Sequence, residues 1–179
     1  MKSFLIIQTA FIGDVILATP LIEKLHRFYP DAKIDFLLRK GNEGLLESHP
    51  YIKTVYIWNK KEKKYRNLFH LSRMIRNERY DCVINLQRFG ASGFLTWRSK
   101  AKEKIGFDKN PFSFSYTLKV KHEVGNGKHE VDRNLELIKH LTDSSPEKPK
   151  LHIHPKHEEK VKKYFATPYI CIAPTSVWF

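Results

Sequence analysis

The chain has 179 residues, of which 41% are hydrophobic, 13% aromatic and 28% charged. This length allows one α/β domain and little more, and the apolar content excludes intrinsic disorder. The two cysteines exclude a disulfide framework and favour a reducing compartment. The sequence has neither an apolar run long enough to span a bilayer nor a signal peptide, so we expect a cytoplasmic protein.

The positive charge is unevenly distributed along the chain. The formal net charge is +13, and residues 60–104 alone carry 13 Lys and Arg against 4 Asp and Glu, a net of +9. Such a stretch predicts an anionic partner, whether nucleic acid, an acidic membrane surface or an acidic substrate. The alternative is a solvated basic face that only aids solubility.

The first ninety residues alternate between short apolar runs and amphipathic segments. Strands are predicted at residues 4–7, 34–38, 54–58 and 82–86, and helices at residues 14–29, 43–48 and 65–78. Pro20 is expected to kink the first helix or to limit its first turns. This order predicts an α/β fold with a doubly wound, Rossmann-like parallel sheet.

The pattern is weaker after residue 90. It predicts short strands at residues 104–107 and 116–120, helices at 129–141 and 156–165, a linker at 144–149 and a buried strand at 169–173. The last strand has no predicted neighbour to cover its faces. We therefore expect the chain to stop just inside a second domain.

Ligands of open α/β sheets bind beyond the carboxyl ends of the strands, where residues 8–14, 59–64 and 87–90 are expected. The first of these loops lacks the G-x-G-x-x-G fingerprint, and the chain has no P-loop motif, which disfavours a nucleotide in this part. The loop instead presents Asp14 at the start of a helix. Two roles fit this carboxylate, a helix cap and a general base that projects into a cleft.

We expect no metal site and no cofactor. His152, His154 and His157 are close in sequence, but no Cys or carboxylate completes a tetrahedral zinc site with them. The chain also lacks the D-x-D pair that chelates a metal in many nucleotide-sugar sites. Cys82 and Cys171 are expected to be core residues.

Five segments carry a family resemblance. They are IGDVILATPLI at residues 12–22, YDCVINLQ at 80–87, KIGF at 104–107, HEVDRNLEL at 129–137 and APTSVW at 173–178. Together they resemble the ADP-heptose:lipopolysaccharide heptosyltransferases, glycosyltransferase family 9. The first segment is the most specific, because Gly, Asp and Pro recur in it at fixed offsets.

The resemblance implies the N-terminal half of a two-domain GT-B glycosyltransferase that is inverting and independent of metal. Residues 1–150 would bind the acceptor, the inner core of lipopolysaccharide on lipid A. Residues 151–167 would be a linker and connecting helix, and residues 168–179 the first strand and turn of the domain that binds ADP-heptose. The fragment alone is expected to be inactive. The protein would lie in the cytoplasm at the inner face of the bacterial inner membrane, in contact with anionic lipid.

The same resemblance assigns roles to individual residues. Asp14 matches the base that deprotonates the acceptor hydroxyl, and this role is now preferred to the cap. Arg133 matches an arginine that faces the acceptor, and Thr175 and Ser176 match a turn that holds the donor diphosphate. The other acceptor-binding candidates are Thr9 in the first loop, Lys60, Lys61, Lys63 and Lys64 in a mobile cationic loop, and Arg88 from its place after the fourth strand.

Two other classes of protein remain as alternatives. A nucleic-acid-binding module fits the basic stretch and its interleaved aromatic residues, although RNP-like, KH-like and zinc-finger patterns are missing from the sequence. A Rossmann oxidoreductase is disfavoured by the absent glycine fingerprint. With the glycosyltransferase hypothesis preferred, no nucleic-acid partner is expected.

Overall fold

The computed structural model describes residues 1–166 and 168–172, and it has six strands in one sheet. The strands are Ser3–Ile7 (β1), Lys33–Arg39 (β2), Ile52–Trp58 (β3), Cys82–Asn85 (β4), Glu103–Phe107 (β5) and Leu118–Val120 (β6). Their order is β3-β2-β1-β4-β5-β6, and every neighbouring pair is parallel. The predicted α/β doubly wound sheet is confirmed. The order reverses between β1 and β4, and the carboxyl ends of these strands therefore border a crevice.

Helices cover both faces of the sheet. They are Ile12–Ile16 (α1), Thr19–Phe28 (α2), Lys64–Glu78 (α3), Gly90–Arg98 (α4), Glu130–Glu136 (α5) and Pro155–Lys162 (α6). Short 3₁₀ turns occur at Glu43–Leu45, Ser113–Ser115 and Lys163–Ala166. Within the described ranges, no helix is both long and apolar enough to traverse a lipid bilayer.

Strand β1 divides its side chains between two cores, as the two-residue period of a strand requires. Phe4 and Ile6 belong to the core formed with α1, α2 and α5. Leu5 and Ile7 belong to the core formed with α3 and α4. All four side chains are at most 1% exposed. Because both faces are covered, β1 reads as a continuous apolar run rather than as an alternating one.

The helix predicted at residues 14–29 is divided into α1 and α2 at residues 17–18. Pro20 lies in the first turn of α2, where its missing N–H has no partner to lose. The hydroxyl of Thr19 donates to the carbonyl of Ile16 at 2.8 Å, which helps to join the two helices across the break. The break leaves the carbonyl of Leu17 available to a later part of the chain.

Other predicted elements are shorter than expected or were missed. The helix expected at residues 43–48 is only the 3₁₀ turn, and the helix expected at 129–141 is regular only over α5. Helix α4 was not predicted, because its Gly, Ser and Thr residues give it little amphipathic signal.

Two predictions near the end of the chain are wrong for the described residues. Residues 168–172 form no strand, and Tyr169, Ile170 and Ile172 are exposed. The physical reason is that a strand needs a neighbour to satisfy its backbone and cover its side chains. For the same reason Cys171 is exposed, whereas Cys82 in β4 is buried as expected. Residue 173 lies outside the described residues.

Candidate functional site

A cleft of about 630 Å³ lies at the carboxyl edge of the sheet, at the crevice between β1 and β4. The loops after these two strands form its walls, together with the start of α1, the start of α5 and the segment after β6. Its polar and aromatic lining includes Asp14, Arg88, Phe89, His122, Glu130 and Arg133. Three of the residues chosen from sequence, Asp14, Arg88 and Arg133, therefore meet in one cleft.

Asp14 occupies the first turn of α1 and is only partly buried. Its Oδ2 atom accepts a hydrogen bond of 2.9 Å from the main-chain N–H of Phe11, the residue that precedes the helix. The carboxylate thus satisfies a backbone donor that the helix leaves unpaired, while it also faces the cleft. The two roles considered for Asp14 are compatible in this geometry.

A second carboxylate, Glu130, enters the same cleft from the start of α5. Burial raises the pKa of Glu130, and the negative charge of Asp14 raises it further. Arg133 acts in the opposite direction, with Nη2 placed 3.9 Å from Oε2 of Glu130. Glu130 lies in the motif at residues 129–137, but no role was predicted for it. Nothing in the neighbouring sequence indicates that the start of α5 lies beside α1.

The guanidinium of Arg133 is held in place by the backbone. Its Nη1 donates to the carbonyl of Lys128 at 2.6 Å, and its side chain is 15% exposed. Arg88 is exposed in the loop after β4, with its guanidinium 5.8 Å from the ring centre of Phe89. His122 also lines the cleft, where burial lowers its pKa and the charges of Arg133 and Arg88 lower it further. The cleft therefore combines two carboxylates with two guanidinium groups, of which that of Arg133 is held in place.

Lys60 reaches the first loop from the end of β3. Its Nζ donates to the carbonyl of Thr9 at 2.6 Å and to the hydroxyl of Thr9 at 3.2 Å. Burial lowers the pKa of Lys60 to about 8, with smaller contributions from the charges of Arg39 and Lys64. Two of the predicted acceptor residues, Thr9 and Lys60, are thus joined beside the cleft.

The other three lysines of the predicted cationic loop lie elsewhere. Lys61, Lys63 and Lys64 are exposed, and none of them is among the described residues that line the cleft. Lys63 has a φ of +44° and precedes α3, where it borders a second hollow of about 840 Å³ between β3 and α3. Thr175 and Ser176 lie outside the described residues.

Buried side-chain amides of Gln and Asn residues hold the loops of the cleft in place. None of these residues was predicted from the sequence to have a role. The side-chain amide of Gln87 donates to the side-chain carbonyl of Gln8, which links the loops after β4 and β1. The Asn110 amide donates to the carbonyls of Gln87 and Phe89 at 2.8 and 3.1 Å. The Asn134 amide on α5 donates to the carbonyl of Leu17 at 3.2 Å. Gln8 could have been identified from the sequence, because it is a polar residue directly after a buried strand.

The three histidines considered as a metal set do not gather. His154 caps α6, and its ring centre lies 5.9 Å from that of His157. His152 lies instead with Glu23 and His49, a trio whose ligand atoms are within 4.8 Å of one another. None of these three residues is among the described residues of the cleft.

Comparison with known proteins gives consistent matches. The sequence profile of glycosyltransferase family 9 (heptosyltransferase) matches residues 68–178, more than half of the chain. Lipopolysaccharide heptosyltransferase 3 of Escherichia coli is 40% identical over 102 residues, which cover 55% of this chain and 30% of that protein. The chain spans between 30% and 39% of the length of the curated relatives it matches.

Solved structures match the fold. A family 9 glycosyl transferase from Veillonella parvula DSM 2008 has a TM-score of 0.82 and 22% identity, over 92% of this chain and 49% of that one. The E. coli heptosyltransferase WaaC with ADP-2-deoxy-2-fluoro heptose has a TM-score of 0.69 and 22% identity, over 83% of this chain and 51% of that one. At this identity these structures support the architecture, and the profile match supplies the family. The chain belongs to glycosyltransferase family 9.

Proposed function

We propose that this chain is the acceptor-binding part of a heptosyltransferase that transfers heptose from ADP-heptose to the inner core of lipopolysaccharide. The names of the relatives support the sugar and the acceptor, and the ADP-2-deoxy-2-fluoro heptose in the WaaC structure supports the donor. Residues 1–150 form the acceptor domain in this proposal, residues 151–167 connect it, and residues 168–179 begin a donor-binding domain that includes Thr175 and Ser176.

The observation that carries the proposal is the meeting of Asp14 with two arginines in one cleft. A base needs a carboxylate that can approach the acceptor hydroxyl, and Asp14 is accessible from the cleft. An inner-core acceptor carries sugar carboxylates and lipid phosphates, and Arg88 and Arg133 offer planar guanidinium groups suited to such anions. Lys60 extends the acceptor contact beyond the cleft, and Thr9, which is only 2% exposed, acts by holding the ammonium group of Lys60.

In the proposed reaction, Asp14 removes the proton of the acceptor hydroxyl as the oxygen attacks the anomeric carbon of the donor. The new C–O bond forms on the face opposite the bond between the anomeric carbon and ADP. That bond breaks, ADP leaves with its electron pair, and the configuration at the anomeric carbon is inverted. The Phe11 N–H holds Oδ2, and Oδ1 is therefore the atom assigned to receive the proton.

We also propose a place in the cell. The protein acts in the cytoplasm at the inner face of the inner membrane, where lipid-linked acceptors are found. The exposed lysines of the basic stretch at residues 60–104 supply the attraction. Each basic residue near an anionic surface contributes about 1 kcal/mol.

The test is the Asp14→Asn variant of a full-length glycosyltransferase that contains this domain. We expect kcat to fall by roughly 10²–10⁴-fold, the contribution typical of general base catalysis. The KM for ADP-heptose is expected to stay within about twofold of wild type, because Asp14 lies on the acceptor side.

The matched control is Asp132→Asn, an exposed carboxylate outside the described lining of the cleft. It is expected to leave both constants unchanged. Turnover by Asp14→Asn within tenfold of the control would remove Asp14 from the role of base. Binding of oligonucleotides in place of the glycolipid acceptor would overturn the proposed function as a whole.

A further inference from the structure

Three potential metal ligands from distant parts of the chain converge on the α2 side of the sheet. Glu23 lies on α2, His49 lies shortly before β3, and His152 lies before α6. Oε1 of Glu23 is 2.9 Å from Nε2 of His152 and 3.4 Å from Nε2 of His49. The ring centres of the two histidines are 4.5 Å apart.

The Nε2 atom of His49 is buried without a hydrogen bond in the described part of the chain. The residue as a whole is 5% exposed. An unsatisfied buried polar atom costs free energy and calls for an explanation, such as an ion at the site. A neutral imidazole offers a nitrogen lone pair to a cation.

The spacing of these atoms suits a tetrahedral ion. Bonds of about 2.0–2.1 Å to zinc place adjacent ligand atoms about 3.3 Å apart. The two measured distances from Glu23 bracket this value. Two imidazoles and one carboxylate are a donor set that zinc commonly takes, with water as the fourth ligand.

We propose that Glu23, His49 and His152 bind a Zn²⁺ ion. The ion would use Oε1 of Glu23 and Nε2 of both histidines. Lys150 lies close enough to oppose a cation, with Nζ 3.7 Å from Oε2 of Glu23, but its contact is with the other carboxylate oxygen. Because the lysine is 56% exposed, it can turn toward solvent when the ion binds.

One existing contact would change on binding. The N–H of Tyr51 donates to Nδ1 of His49 at 3.4 Å, near the upper limit for a hydrogen bond. Coordination through Nε2 puts the ring proton on Nδ1, and this weak contact is then lost. The bound ion would connect His152 to Glu23 on α2, which is 129 positions earlier in the chain. It would thereby hold the segment after the linker against the acceptor domain.

The first experiment measures zinc binding by the 179-residue protein after removal of metal with a chelator. We expect one equivalent of Zn²⁺ to bind with a Kd below about 100 µM in a calorimetric titration. His152→Ala and Glu23→Gln are each expected to weaken binding at least tenfold, since even indirect partners of a metal have effects of about this size. Both residues are partly exposed, so these changes do not open a cavity in the core.

The control is His157→Ala, which removes an exposed histidine of α6. This variant should bind zinc as tightly as the wild-type protein. A second readout is the two-bond ¹H–¹⁵N spectrum of the histidine rings, where Zn²⁺ should shift Nε2 of His49 and His152 and protonate Nδ1 of His49. Wild-type binding weaker than 100 µM would overturn the site. Equal affinity in His152→Ala, or shifts at His154 and His157 instead, would also overturn it.

Discussion

At the scale of single residues, the cleft depends on two carboxylates that influence each other. Glu130 has a raised pKa because it is partly buried and because Asp14 is close. We predict that Asp14→Asn lowers the pKa of Glu130 toward its ordinary value without reaching it, since burial remains. A ¹³C carboxyl titration of Glu130 in the 179-residue chain measures this.

The control for this titration is Asp132→Asn, because Asp132 is exposed on the same helix. It is expected to leave the Glu130 titration nearly unchanged. An unchanged or higher pKa of Glu130 in Asp14→Asn would mean that the two carboxylates are not coupled in solution.

Lys60 gives a prediction about pH. Its pKa is lowered to about 8, mainly by burial, so the ammonium charge is present below pH 8 and is lost as the pH rises through this value. We expect binding of an anionic acceptor glycolipid to weaken as the pH rises from 7 to 9. Arginine stays charged throughout this range, so Lys60→Arg should make the affinity nearly independent of pH.

The matched control is Lys61→Arg, which alters the exposed neighbour and should keep the wild-type profile. Acceptor affinity is followed by fluorescence anisotropy at several pH values. If wild type and Lys60→Arg weaken together across the same range, another group is responsible.

At the scale of elements, the packing of α4 explains how the loop after β4 is held. Gly93 on α4 lies against Asn110 and Phe112, and an added Cβ would be 2.9 Å from Cβ of Phe112. Asn110 in turn donates to the carbonyls of Gln87 and Phe89. The position of Arg88 therefore depends on the close approach of a helix that has no side chain at this point.

We predict that Gly93→Ala destabilises the protein by roughly 1–3 kcal/mol, the usual cost of overpacking a close contact. Urea unfolding followed by circular dichroism measures the change. Gly44→Ala is the control, since a Cβ at Gly44 would meet nothing within 4 Å. Equal midpoints for the two variants would contradict the tight packing of α4.

At the scale of the whole molecule, residues 60–104 carry +9 of the net charge of +13. The basic stretch at residues 60–104 includes α3 and α4, which cover the same face of the sheet. Exposed aromatic side chains accompany it, among them Tyr65, Phe69 and Trp97. This combination suits a surface that meets an anionic, partly apolar partner such as a membrane.

Charge reversal tests which lysines matter. We predict that Lys61→Glu with Lys63→Glu lowers binding to anionic phospholipid vesicles by roughly tenfold or more, at about 1 kcal/mol per lysine near the surface. Lys53→Glu with Lys100→Glu changes the net charge equally at the opposite, amino edge of the sheet, and should have a smaller effect. Sedimentation with vesicles at low and high salt measures both. Equal losses in the two pairs would indicate a general charge effect.

Much of the fold follows from local sequence. Strands β1 to β4 and helix α3 were predicted close to their observed bounds, because buried runs and helical periodicity are properties of neighbouring residues. Helix α4 and the missing strand at residues 168–172 were not predicted correctly. The first has too little amphipathic contrast, and the second depends on a neighbouring strand.

The residues of the site also fall into those that the sequence predicted and those that only the tertiary structure revealed. The sequence alone placed Asp14 and Arg88 at the carboxyl ends of β1 and β4, since the ends of parallel strands share one edge of a sheet. Only the tertiary structure brought Glu130 to Asp14, joined Asn134 to Leu17 across 117 positions, and gathered Glu23 with two histidines. Such contacts depend on how separate helices pack on the sheet, and this packing has no signature in the spacing of neighbouring residues.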